Sequence, residues 1–343
     1  MLLKELTEIM GASGDEKEIR EKIKSIVEPY VDNVYVDKIG NLIACKKGKK
    51  DKKDKPKIML AAHMDEVGLM VKSVNEDGTL SFFPVGGVDN RILVAKTVKV
   101  GEKEINGVIG AKPIHLQKRD EQQKPLDFDS LYIDIGATSK EEALKHVSPG
   151  DYVYFDSNFE ILGNGYVKAK ALDDRIGCNV LIEILKNEYE YTVCAAFTVQ
   201  EEVGLRGAGV AAYNVEPDFA IIVEGTVAAD VTDSAPHLVS TELGKGPAIS
   251  LMDRTTLYDR KVIDKIVKIA DENKVPYQFR RIASGGNDAG KIHLTKGGIK
   301  TIAVSVPCRY IHSFNSVAFL EDFHNTVKLI DLIIKNIEKE ALI

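Results

Sequence analysis

Apolar residues change their spacing along the chain, and each change marks a different kind of element. Near the start they recur at helical intervals, Leu3, Leu6, Ile9 and Met10, then Ile19, Ile23, Ile26 and Val27. That spacing predicts helices over 2–11 and 15–30, broken by Gly11-Ala12-Ser13-Gly14, with Pro29 helping to end the second. Residues 34–44 read as two strands around a Gly40-Asn41 turn. Four unbroken apolar runs, 58–62, 193–199, 219–223 and 301–306, read as buried strands of a mostly parallel sheet. Helices are expected to open near Asp173 and run to Asn187, and over 204–213, 257–273, 284–294 and 322–339.

From Gly68 to Gly165 the helical spacing disappears. Short alternating runs replace it at 69–74, 80–85, 97–100, 108–111, 131–135 and 152–155. Asp77-Gly78, Gly86-Gly87, Asn106-Gly107 and Pro149-Gly150 punctuate them. Residues 68–165 are therefore expected to form a small barrel-like β-domain. It interrupts an α/β domain built from 1–67 and 166–343, with helices flanking a mixed, mostly parallel sheet.

At 343 residues with a net charge of -6, the chain can bury a large core and carries no bias toward nucleic acid or a membrane surface. Residues 46–57 include eight lysines but no aromatic residue, and read as an exposed hairpin tip rather than a nucleic-acid patch. Residues 117–127, inside the β-domain, read as a polar loop. No apolar run has the length of a bilayer span. The first residues lack the long apolar centre of a signal peptide. Cys45, Cys178, Cys194 and Cys308 are scattered with no paired spacing; three lie in apolar or strand-like contexts and read as reduced core residues, and the compartment expected is the cytoplasm.

Chemistry gathers where the four apolar runs stop. The run 58–62 leads into His63 with Asp65 two residues on, and 193–199 leads into Glu201 and Glu202. The run 219–223 meets Glu224, and 301–306 leads through Pro307 and Ile311 to His312. Parallel strands place these ends on one edge, where α/β proteins bind their ligands. Of Asp173 and Asp174, at a helix start, one is expected to cap the helix and the other is free to bind. Two imidazoles and three carboxylates suit two divalent ions of borderline softness, Zn²⁺ or Co²⁺. Calcium would take oxygen ligands alone, and a structural zinc would want paired cysteines.

Adjacent side chains on an extended strand point apart, so one of Glu201 and Glu202 can bind metal while the other moves a proton. If Glu202 is the ligand, Glu201 is the base that takes a proton from water and delivers it to a leaving amine. Asp65 is placed to orient the neighbouring imidazole. His115, His146, His237, His293 and His324 have no such setting and read as non-ligands.

These motifs resemble those of the M42 metallo-aminopeptidases: Ala62-His63-Met64-Asp65-Glu66-Val67-Gly68, Ala171-Leu172-Asp173-Asp174-Arg175, Gln200-Glu201-Glu202-Val203-Gly204, Glu224-Gly225-Thr226, Gly285-Gly286-Asn287-Asp288-Ala289 and Arg309-Tyr310-Ile311-His312-Ser313. The resemblance implies that Asp173 bridges two metals, with His63 and Glu224 on one and Glu202 and His312 on the other. It further implies Glu201 as general base, Asp65 as the orienting group for His63, and short peptides as substrates. Where this chain has Glu224, the family often has aspartate. The β-insert would serve oligomer assembly, commonly a dodecamer.

Two other readings compete. A glycoside hydrolase would use opposed carboxylates without metal, leaving both histidines idle in a chain that has no tryptophan for sugar stacking. A non-catalytic metal scaffold would have no use for Glu201. Residues 284–289, 226–233 and 252–257 are expected to wall the substrate pocket, with Arg254 a candidate partner for an acidic side chain and a surface role its alternative.

Overall fold

The computed structural model describes residues 1–49, 56–119, 122–338 and 342. The tip of the lysine-rich hairpin, 50–55, lies outside the described residues, as do 120–121 of the polar loop. The first part of the chain forms α1 (Leu2–Glu8), α2 (Lys17–Val27), β1 (Asn33–Val36), β2 (Leu42–Lys46) and β3 (Lys57–His63). Then come β4 (Gly68–Val74), β5 (Leu80–Val85), β6 (Thr97–Val100), β7 (Ile105–Ala111), β8 (Leu131–Asp134), α3 (Lys140–Ala143) and β9 (Tyr152–Phe155). The chain continues through β10 (Glu160–Leu162), β11 (Tyr166–Ala169), α4 (Leu172–Leu185), β12 (Thr192–Thr198), α5 (Arg206–Val215) and β13 (Phe219–Val227). It ends with β14 (Ala248–Ser250), α6 (Arg260–Glu272), β15 (Gln278–Arg280), α7 (Ala289–Ile292), β16 (Lys300–Arg309), β17 (Ser316–Phe319) and α8 (Leu320–Lys335).

The strands sort into an eleven-stranded mixed sheet and a closed six-stranded barrel. The sheet runs β1-β2-β12-β3-β13-β16-β17-β11-β10, with β14 and β15 joined beside β16. Its centre is parallel: β12 with β3, β3 with β13, and β13 with β16. These are the strands of the four apolar runs, buried on both faces as unbroken apolarity requires. The barrel order is β4-β5-β8-β7-β6-β9, all antiparallel, and its strands are the six alternating runs. The chain rejoins the large sheet at β10, which pairs with β11.

Helix limits moved where capping and backbone conformation override periodicity. The helix expected over 284–294 shrinks to α7, because Gly285 takes a positive φ and residues 284–287 are not helical. At α4, Asp173 and Asp174 have non-helical backbones, so regular helix begins beyond them. Asp174 is the capping residue, accepting from the Gly177 N–H at 3.0 Å and also from the His63 N–H at 3.2 Å.

The expectation of three reduced cysteines is not met: Cys178 and Cys308 are free, and the other two are joined. β2 and β12 are antiparallel with Cys45 directly opposite Cys194, Cα atoms 4.1 Å apart, and the pair is a disulfide. A separation of 149 residues hides that register from any local pattern.

Below the parallel strands, one cation ties the N-terminal segment to the loop after β3. Arg175 is fully buried, and its Nε donates to the Met64 carbonyl at 2.6 Å while Nη1 donates to the Leu6 and Ile9 carbonyls at 2.6 and 3.2 Å. Glu66 compensates its charge at 3.7 Å and accepts from buried Lys170 at 2.5 Å. Replacing Arg175 by methionine should lower unfolding stability by about 1–3 kcal/mol, because the buried carbonyls of Met64, Leu6 and Ile9 lose their donor while Glu66 keeps Lys170. Denaturant unfolding of both proteins measures this; an unchanged transition would show that the tie is dispensable.

Candidate metal centre

Parallel register brings the strand ends together. His63 is the last residue of β3, and Thr198 of β12 lies beside it in register. Gln200 then takes a positive φ and turns the chain sharply, presenting Glu201 and Glu202. β13 does not stop at Glu224 as its apolar run suggests; it continues to Val227. Its pairing with β3 ends at Ile222 opposite Ala61, so Glu224 stands past the paired residues at that edge. His312 follows β16, and both Tyr310 and His312 have positive φ.

Asp173 lies between the two imidazoles. Its Oδ1 is 3.4 Å from His63 Nε2, and its Oδ2 is 3.6 Å from His312 Nε2. Glu224 approaches His63 Nε2 to 3.5 Å and Glu201 approaches it to 4.0 Å. Glu202 instead lies against His312, 3.3 Å from Nε2. Potential ligand atoms fall within 4.8 Å of one another in three sets: His63, Asp173 and Glu224; Asp173, Glu202 and His312; and His63, Glu201 and Glu202. All seven residues singled out in the sequence are thus in or beside one cluster, Asp65 through its contacts with His63, Glu201 and Glu202.

Each histidine presents Nε2 to the cluster because its Nδ1 is engaged elsewhere. His63 Nδ1 contacts the main-chain oxygen of Asp65 at 2.9 Å, with the Asp65 carboxylate further off at 3.5 Å. The carboxylate itself accepts from the Glu201 and Glu202 N–H groups at 3.0 and 3.1 Å, and from the Ser13 hydroxyl at 2.6 Å. Asp65 therefore clamps the loop that carries both glutamates. His312 Nδ1 contacts the Gly87 carbonyl at 2.9 Å, a group supplied by the barrel. Two residues on, Phe314 stacks on Phe155 at 3.9 Å and belongs to the barrel core.

Ser13 and Gly87 escaped the sequence reading, and Asp288 was expected only as part of the 284–289 pocket wall. Ser13 carried only a helix-breaking signal and Gly87 only a turn signal. Asp288 is buried, accepts from the Thr198 hydroxyl at 2.5 Å and keeps Oδ1 without a partner.

The electrostatics follow from enclosure. Burial drives Glu201 well above the ordinary carboxylate range despite nearby His63. It lifts Glu202 to about 7 and Glu224 to about 8. Burial works against a charged His312, yet contact with Asp173 and Glu202 raises it to about 9. His63 is likewise raised, against burial, by Asp173, Asp65 and Glu224. Asp173 is held at about 2, because His312 and His63 outweigh its burial.

The mixed nitrogen and oxygen donors, and the buried Asp173 Oδ1 that lacks a hydrogen bond, fit divalent cations of intermediate softness.

Comparison with known proteins agrees with this geometry. The family model described as M42 glutamyl aminopeptidase matches residues 40–329. An Acetivibrio thermocellus protein, provisionally named an aminopeptidase, is 43% identical over 331 residues, 96% of each chain. The lysyl aminopeptidase of Pyrococcus furiosus is 34% identical, covering 98% of this chain and 97% of its own. A crystal structure of a TET aminopeptidase from a marine sediment Thaumarchaeota archaeon superposes with a TM-score of 0.95 at 37% identity, covering 99% and 97% of the two chains. With its fold, its clustered acids and histidines and its full-length relatives in agreement, the chain belongs to the M42 aminopeptidase family.

Proposed function

We propose that the protein is a dinuclear metal-dependent aminopeptidase that removes N-terminal residues from short peptides. The observation that carries the dinuclear reading is Asp173, whose two oxygens face two different imidazoles. Asp173 would be shared, with His63 and Glu224 completing one position and Glu202 and His312 the other. Two Zn²⁺ or Co²⁺ ions there would lower the pKa of water and offset the charge that builds on the scissile carbonyl oxygen.

The protein's own groups supply the remaining chemistry. Glu201 faces His63 more loosely than Glu224 does, so it is the carboxylate left over for proton transfer. It accepts a proton as water oxygen bonds to the carbonyl carbon, then returns it to the amine nitrogen as the carbon–nitrogen bond breaks. Asp65 holds the base in place through the Glu201 N–H, and Ser13 in turn fixes Asp65. The glycosidase alternative leaves His63 and His312 without a task, although each sits against carboxylates of the cluster.

Oligomer assembly belongs to the same proposal. Phe83, Ile114 and Leu116 of the insert leave apolar side chains exposed, a surface suited to contact with another copy. Light scattering coupled to size exclusion should show a mass above 37.8 kDa, and a monomer at micromolar concentration would remove the assembly role.

Glu201→Gln should retain both metals and lose about 10²–10⁴-fold in kcat/KM on an aminoacyl p-nitroanilide. Lost metal with this change would instead make Glu201 a ligand. Chelation should abolish amino-acid release and Zn²⁺ or Co²⁺ should restore it.

Metal binding has a defined pH dependence. Glu202, Glu224 and His312 carry protons in the metal-free protein up to about 7, 8 and 9, and ligands must shed them. Affinity should therefore rise as pH increases through that window, with protons released on binding. Calorimetry in buffers of different ionisation enthalpy reads both, and pH-independent affinity would contradict the assigned ligands.

A further inference from the structure

The cluster opens into a cavity of about 240 Å³, with Asp173, Glu201, Glu202 and Glu224 on one side and Arg280 and the 284–287 turn on the other. Arg254 does not line it; its main-chain N–H holds the Gly285 carbonyl at 2.8 Å. Ile311 and His312 line both this cavity and an adjoining pocket of about 420 Å³. That volume falls within the ~300–1,000 Å³ of typical ligand pockets. The pocket lies between the β-insert, which supplies Gly87 and Lys96, and the segment after β16, which supplies Tyr310 to Asn315.

Inside the pocket, Lys96 is a cation without an anion. Its Nζ lies 5.8 Å from the centre of the Phe314 ring, a weak attraction, and among the described residues no carboxylate is paired with it. Asp89, an acid on the same wall, is taken by Arg91 through Nε at 2.9 and 3.0 Å. The root of Lys96 is fixed on the insert. Its carbonyl accepts from the Ile109 N–H at 2.9 Å, and the Ala95 N–H before it donates to the Ile109 carbonyl at 2.8 Å.

Asn315 adds a second donor to the pocket. Its Oδ1 accepts from the Ser157 hydroxyl at 2.8 Å, which leaves Nδ2 for another partner. Lys96 and Asn315 are both half-buried, within reach of solvent. Two donors, one of them cationic, suit the two oxygens of a carboxylate.

The reaction itself indicates which carboxylate. Hydrolysis cuts the first peptide bond, so the scissile carbonyl sits at the metals with the first residue on one side and the rest of the peptide on the other. The cavity lined by four acids suits the ammonium end. The remainder then passes His312, which lines both spaces. Each residue adds at most ~3.3–3.6 Å, so only a short peptide ends inside this pocket.

We propose that Lys96, aided by Asn315, determines specificity on the leaving-group side by binding the C-terminal carboxylate of di- and tripeptides. The proposal rests on the aminopeptidase reading of the cluster. It gives a preference for short peptides a structural cause, because longer ones carry their carboxylate beyond the pocket.

The test compares X-Ala with X-Ala amide, where X is the first residue that metal-loaded wild type releases fastest from a panel of aminoacyl p-nitroanilides. The pair differs only in the terminal carboxylate. Wild type should cleave X-Ala with kcat/KM about 10-fold above the amide, chiefly through KM. In Lys96→Met that advantage should vanish, and Lys96→Arg should restore most of it. Extending the peptide well past three residues should erase the advantage in wild type.

Equal cleavage of X-Ala and its amide by wild type would overturn this proposal alone, and so would an advantage that survives Lys96→Met. An equal loss on acid and amide in that variant would reduce Lys96 to a structural part. A preference for X-Glu amide over X-Ala amide, with none for X-Ala, would overturn the proposal by assigning the lysine to a side chain. No amino-acid release from any p-nitroanilide or peptide by metal-loaded wild type would overturn the aminopeptidase reading together with it.

Discussion

Four largely buried carboxylates crowd against two imidazoles, and buried like charges require neutralisation. Water screens buried carboxylates poorly, so each is favoured by a proton, a cation or a fixed donor. Asp173 is balanced by the two histidines, while Glu201, Glu202 and Glu224 are pushed toward their protonated forms. Bound cations would favour the ionised forms of these acids over the protonated ones. Much of the surrounding structure restrains these side chains against the separation that repulsion would favour.

Restraint comes from three directions. From below, Arg175 joins the N-terminal segment to the chain at Met64, immediately before Asp65. At the centre, the Asp65 carboxylate gathers the N–H groups of Glu201 and Glu202. From the side, the barrel contributes the Gly87 carbonyl to His312 and packs Phe314 into its own core. The insert therefore has a part in arranging the cluster whatever its role between copies of the chain. Fixing a ligand through the atom opposite its working nitrogen is a general way of setting tautomer and orientation together.

Much of this was legible in the sequence because period and residue type are local properties. Unbroken apolar runs identified β3, β12, β13 and β16, and alternation identified the barrel strands. Ligand-type residues at the ends of those runs identified the cluster, since parallel strands share an edge. Other features depended on pairing between distant segments. Cys45 and Cys194 face each other through the register of β2 and β12, and neither has a nearby cysteine to announce it. Ser13 reaches Asp65 across 52 residues from a segment whose only local signal was a helix break. Glu224 marked the end of an apolar run but not of its strand, because hydrogen bonding to β16 carries β13 further.

The sequence by itself determined the two structural units, the central strands and the residue types available to hold metal. Tertiary structure decided what those residues do to one another. It separated Asp174, which caps a helix, from Asp173, which faces both imidazoles. It turned the Asp65 carboxylate toward two backbone N–H groups, and it placed Arg280, not Arg254, on the wall of the cavity. The physical reason is range. Periodicity and turn chemistry act over a few residues, whereas burial, charge compensation and hydrogen-bond pairing exist only once remote segments have met.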